Sequence, residues 1–339
     1  MDSFGQQWKK TISVLSILSV AIIVMFFVSL NTGLTKIPPL EVVKTIFGSG
    51  DEGTKMVLFD FRLPRMVLAL LVGAGISLAG AILQGVSQNA LADPGILGIN
   101  AGAGFAVVLF MFFSQGTGFA IGALSIFSLP FTALLGAFVA ALLIYVIAWK
   151  GGVTPVRLIL VGIGINSAFA AAMLVFQLMM EPNDFTKALV WLSGTIWGTN
   201  WTFVLALLPW LLIFTPIAFY KARVLDVLNL GDPMAIGLGS HVERERRILL
   251  IIAVALAGAC VSVGGGITFL GLVAPHLAKR IVGAKHARML PVTVLLGAFL
   301  LLTADTIGRV VLAPAELPVG LVVSILGAPY FIYLLMKTR

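Results

Sequence analysis

Apolar residues run through this chain in long unbroken blocks, without the alternation of a half-buried strand or the single stripe of a surface helix. Between Ile12 and Leu30, and again between Met66 and Leu83, no charged residue interrupts the run. A membrane-spanning helix needs about 20 such residues. Inside lipid, backbone N–H and C=O groups must find partners within their own segment, so such blocks are read as helices. Ten stretches qualify, at 12–31, 64–84, 95–113, 121–148, 156–180, 202–220, 248–263, 267–280, 290–308 and 317–336. The eighth is the weakest, because it is short, follows Gly264-Gly265-Gly266 and contains Pro275. The pattern predicts an all-α polytopic membrane protein, a single transmembrane domain over residues 1–339. One long polar segment, 221–247, separates the sixth and seventh spans.

Composition agrees with the pattern. Hydrophobic residues make up 60% of the 339 and charged residues only 11%, far from the balance of a soluble domain. The net charge of +8 would suggest nucleic acid in a soluble chain, but no part of this one could hold such a fold, so no nucleic-acid partner is expected. The basic residues instead set the orientation. With the N-terminus inside, 15 of the 22 Lys and Arg fall on the inner side, which predicts an N-in, C-in arrangement in the cytoplasmic membrane. The first apolar stretch is long for a signal-peptide core and lacks a small-x-small cleavage site, so a retained first span is expected. Cys260 lies alone within an apolar run and reads as a small hydrophobe.

Candidate chemistry is sparse. "GSGDEGTK", residues 48–55, resembles a phosphate loop, but Thr54 precedes Lys55 where the motif needs the reverse order. His241, His276 and His286 show no metal-pair spacing. No metal, cofactor or catalytic residue is therefore expected, and an intramembrane hydrolase has no constellation to support it. Asp305 is the best intramembrane carboxylate, four positions before Arg309 and able to pair with it on one helix face. An ion-coupled carrier would need more buried carboxylates, and no internal repeat is evident. Arg62, Arg65 and Arg309 stand at span ends on the outer side, against the general bias, and suggest a cationic rim. Within 221–247, Asp232 can cap a short helix with Pro233 at its first position, closed by Gly237 or Gly239. The small residues Gly231 and Ala235 would let a partner approach closely.

Five stretches carry a family resemblance: "RLPR", "LAGAILQGVSQNALADPGILGINAGAG", "LNLGDPMAIGLG", "GGGITFLGLVAPHLAKRIVGAKHARMLP" and "AELPVGLVVSILGAPYFIYLL". In order and over nearly the whole chain, they resemble the FecCD-type permeases. These are membrane subunits of ABC importers for iron–siderophore complexes, and they are similar to the vitamin B12 permease. One departure is Ala90 after Asn89, where the family often has Pro; it would loosen the turn after the second span.

The resemblance implies a type II importer architecture with ten spans per subunit in a bacterial cytoplasmic membrane. It implies a second permease subunit, two cytoplasmic ATPase subunits that carry the ATP and Mg, and an extracellular binding protein. Ferric siderophore is the implied cargo, with cobalamin, haem or another metal chelate as alternatives. Arg62, Arg65 and Arg309 would meet acidic residues of the binding protein. Leu230, Gly231, Asp232, Pro233, Ala235 and Gly239 would seat the ATPase. Thr154, Pro155 and Val156 match the inner-gate region. Asn166, Ser167 and Gln177 on the fifth span are candidate pathway positions, for which the alternative is helix packing.

Overall fold

The computed structural model describes residues 2–33, 38–46, 48, 50–114 and 125–337. Among these, helix is the regular secondary structure observed. The first long helix, α1 (Asp2–Asn31), is followed by the short α2 (Pro39–Ile46) and α3 (Glu52–Met56). A π-helical turn, Val57–Arg62, joins α3 directly to α4 (Leu63–Ser87). Then come α5 (Ile99–Phe113), α6 (Ser125–Ala148), α7 (Pro155–Leu178), α8 (Pro182–Leu192) and α9 (Trp201–Tyr220). Two short helices, α10 (Ala222–Leu228) and α11 (Asp232–Gly237), precede α12 (Val242–Gly264). The chain closes with α13 (Leu270–Val282), α14 (His286–Val311) and α15 (Val319–Lys337).

Each of the ten apolar stretches overlaps one of these helices, although 95–98 and 267–269 precede the helices they were assigned to and the first residues of the 121–148 stretch fall outside the described residues. Among the described residues, seven helices are long and apolar enough to cross a membrane. α5 and α15 are shorter apolar helices. At 13 residues, α13 is about 20 Å long, less than the roughly 30 Å of a bilayer core. The segment before it is not helical, and its polar backbone is satisfied inside the protein. Gly266 N–H donates to the Trp191 carbonyl at 3.4 Å, and Asn100 Nδ2 to the Ile267 carbonyl at 3.1 Å.

α4 forms the axis of the bundle and packs on α9, α12, α13 and α14. Its crossing with α14 is set by glycine: a Cβ at Gly73 or Gly297 would run into the other's carbonyl. Gly102 of α5 and Gly136 of α6 repeat this arrangement. With no water to expel between helices in lipid, such close backbone contact supplies the packing energy.

The second predicted span, 64–84, lies on a longer helical run. The helix begins twelve residues earlier, and a proline inside it explains the π turn. Leu63 N–H donates to the Leu58 carbonyl in the i−5 pattern. In that register the next donor, to Phe59, would be Pro64, which has none. Trp201 Nε1 fills the gap, donating to the Phe59 carbonyl at 2.8 Å.

The turn after α4 is held despite Ala90. Gln88 adopts a left-handed conformation, and the Asn89 side chain accepts from Leu91 N–H at 2.9 Å. Asn89 thus closes the turn with its own side chain.

Polar contacts gather at two ends of the bundle. One joins Arg62, Arg65, Asp305, Arg309 and Glu316. The other holds a linked group of Val153, Asp232, Glu243 and Arg246 beside the pairs Lys221–Glu245 and Asp226–His286.

Candidate functional site: two polar ends and an open helix face

At the first end, Arg65 sits in the opening turn of α4. Its Nη2 lies 2.8 Å from Asp305 Oδ1 and its Nη1 2.7 Å from Glu316 Oε2. Arg309 Nε approaches the other Asp305 oxygen at 3.2 Å, so the same-helix pair read from spacing is present. Arg309 also donates to the Thr32 carbonyl at 3.3 Å and to Ser29 Oγ, and Arg62 donates to the Leu30 carbonyl. The three arginines therefore tie α1, α4 and α14 together instead of projecting as a free rim. Arg62 and Arg309 are buried, whereas Arg65 keeps 13% of its side chain open. Glu316, one quarter exposed beside it, escaped the sequence reading. Its signal was its place in the short polar link before the last span.

At the second end, residues 221–247 form α10, α11 and the start of α12. The helix expected at Pro233 is there, but Gly231, at φ 91°, occupies the cap position. The carboxylate of Asp232 turns instead to Arg246 Nη2, 2.8 Å away. A second correction concerns Ala235, expected on the docking face: it is fully buried against the chain's own core. The face left open carries Leu230, Met234, Ile236 and Leu238, each about 60% exposed. Pro233 and Gly239 flank this face, and Gly239 takes φ 80° just past the helix.

Lys221 bonds Glu245 at 2.6 Å, and His286 Nδ1 lies 2.7 Å from Asp226 Oδ1. Burial alone would raise the pKa of Asp226. Two hydrogen bonds from His286 and the nearby charges of His286 and Lys285 outweigh it and hold the carboxyl below its usual range.

Thr154, Pro155 and Val156 open α7, with Thr154 at its cap in extended conformation. Just ahead of them Val153 is pinned by α12: its N–H donates to Glu243 Oε2 at 3.2 Å and its carbonyl accepts from Arg246 Nη1 at 2.5 Å. By sequence alone Arg246 is one of the 15 basic residues assigned to the inner side.

The pathway candidates separate on α7. Ser167 is exposed, and Asn166 is half-buried with its backbone near Gly98. Gln177 is buried within the chain. It therefore belongs to internal packing and not to the open face.

The comparisons with known proteins bear on what these ends serve. The FecCD transport family matches residues 21–337. The chain belongs to this family. It is 58% identical, over 97% of its length and 98% of the relative's, to the iron(3+)-hydroxamate import system permease protein FhuG of Bacillus subtilis strain 168. It is 43% identical to the iron-uptake system permease protein FeuC of the same organism, over 94% of this chain and 95% of that one. A solved inward-facing metal-chelate type ABC transporter superposes with a TM-score of 0.83 at 28% identity, covering 96% of this chain and 99% of that one. This FecCD chain is thus a multi-pass permease of a bacterial ABC importer, a transport subunit and not an enzyme.

Proposed function

We propose that this FecCD permease carries ferric siderophore, of the hydroxamate class, inward across the bacterial cytoplasmic membrane. Its partners in this reading are a second permease, two ATPase subunits and an extracellular binding protein. The observation that carries the mechanism is the exposed apolar face of α10–α11. Four large apolar side chains are exposed at the polar end that also holds most of the predicted inner charges, as a docking patch for a separate motor. The chain has no phosphate loop of its own.

The separation of the arginine cluster from the charged contacts of 221–247 supports both termini lying inside, since the charged groups predicted outer and inner do not pair with each other. Residues 221–247 act as the coupling segment of a single permease domain. Binding-protein carboxylates dock at the arginine end, where Arg65 is the most accessible of the three arginines. Thr154, Pro155 and Val156 form the inner gate. Ser167 and Asn166 line the pathway on α7, while Gln177 supports it from behind.

Proteoliposomes test this directly. The chain, its second permease and the ATPase should take up iron-55 from a ferric hydroxamate when binding protein and ATP are present. Uptake by this chain without ATPase or ATP would exclude the proposal.

A further inference from the structure

We propose that Arg246 is the positioning residue that transmits movement of the cytoplasmic foot, α10–α11, to the gate loop ahead of α7. This rests on the coupling role proposed above and goes further, naming the contact that carries the motion.

Arg246 lies in the second turn of α12 and only 3% of its side chain is exposed. One arm of its guanidinium reaches Asp232, the first residue of α11, at 2.8 Å. The other arm reaches the Val153 carbonyl at 2.5 Å. Glu243, one turn earlier, accepts from the Val153 N–H at 3.2 Å and from Tyr145 Oη of α6 at 3.3 Å. Both backbone polar groups of a single peptide position are thus held by two side chains of α12. That position is one residue before Thr154. Val153 is itself buried, among Ile144, Ala148 and Leu158, so it cannot move without dragging the inner ends of α6 and α7.

Elsewhere the foot and the gate loop are apart. A cleft of about 580 Å³ lies between them, lined by Lys150, Thr154, Ile236, Ser240, His241 and Arg244 among others. Among the described residues, no hydrogen bond or ion pair given by the structure joins 150–154 directly to 230–240. Arg246 is a strut across this cleft. A planar guanidinium suits that task because its donors are fixed relative to one another, so displacing the carboxylate on one arm turns the other. A lysine offers one movable charge and cannot hold both ends rigidly.

The test is a ratio: iron transported per ATP hydrolysed by the full complex in proteoliposomes. Arg246→Gln should keep ATPase association and hydrolysis while the ratio falls by about tenfold, the scale of an ordinary coupling free energy between two sites. Arg246→Lys should fall between the two. Glu243→Ala, which frees the gate loop without touching the foot, should lower the ratio too and stands in if Arg246→Gln fails to assemble. A variant that loses hydrolysis and uptake in proportion, leaving the ratio at the wild-type value, overturns the strut. Failure of the wild-type chain to bring down an ATPase is a different outcome, because it removes the coupling role on which the strut rests.

Discussion

Asp305 is fully buried between Arg65 and Arg309, with contacts at 2.8 and 3.2 Å. Two guanidinia share one carboxylate here, and Glu316 supplies the second at the edge. Burying ions is costly, so the cluster is held by mutual neutralisation, and removing a single partner from such a group costs about 3–5 kcal/mol. Asp305→Ala should therefore lower the melting temperature in detergent or abolish folded yield. Glu316 differs because one quarter of its side chain is exposed, so water can partly replace it. Glu316→Gln should lower the melting temperature less than Asp305→Ala does and expose one face of Arg65. If binding-protein carboxylates dock there, this variant should bind that protein more tightly at low salt, measured by surface plasmon resonance; weaker binding would place the contact elsewhere. The Asp305–Arg309 pair was legible from its spacing of four. The Arg65–Asp305 contact links positions 240 apart, and nothing local in the sequence announces it.

The foot is the element where amphipathic logic decides the assignment. α11 turns Ala235 inward and Met234 and Ile236 outward. Ile236→Asp should leave the bundle folded and weaken ATPase co-purification roughly tenfold or more, as loss of an apolar anchor does in other interfaces. Ala235→Trp would instead overpack the chain's own core, so its effect would report on folding and not on docking.

Within the foot, α10 is fastened by Asp226 and His286. Because the folded pKa of Asp226 is lowered, its contribution is present above the ordinary carboxylate pKa of about 4 and is lost as pH falls through the folded value. Asp226→Asn should therefore melt lower than wild type at pH 7, the gap closing in acid; a gap that does not depend on pH would show that charge is not what matters. The long helices were readable because apolar blocks of their length have few alternatives. The short α8 and α10 were not, since their helicity depends on what they pack against.

At the scale of the whole chain, α1 and α7 are the least covered of the seven long apolar helices among the described residues, and their exposed faces differ. α1 presents Ile17, Val20, Ile23, Val24 and Phe27, large side chains suited to lipid. α7 presents Gly164, Ser167, Ala168 and Ala171 at the middle of its open face, with the exposed Leu160 before them and Leu174 and Leu178 after them on the same side. The small middle of that face suits a second helix packed close, as lipid alone would not require it. The sequence carried this information in residue size, but only the packing of α5 and α6 shows which face of α7 stays open. We expect the second permease to lie along it, with the pathway between. The native Cys260 is buried beside Gly75 and should not compete in thiol chemistry. A cysteine at Ala171 in an otherwise unaltered chain should then form an oxidant-induced dimer in membranes if two identical copies face each other. The same change at Val20 on α1 should give none. Dimers at Ala171 only when a cysteine is also placed on a co-expressed second permease would mean a heterodimer. Dimers at Val20 and not at Ala171 would move the subunit boundary to α1 and take the pathway from α7.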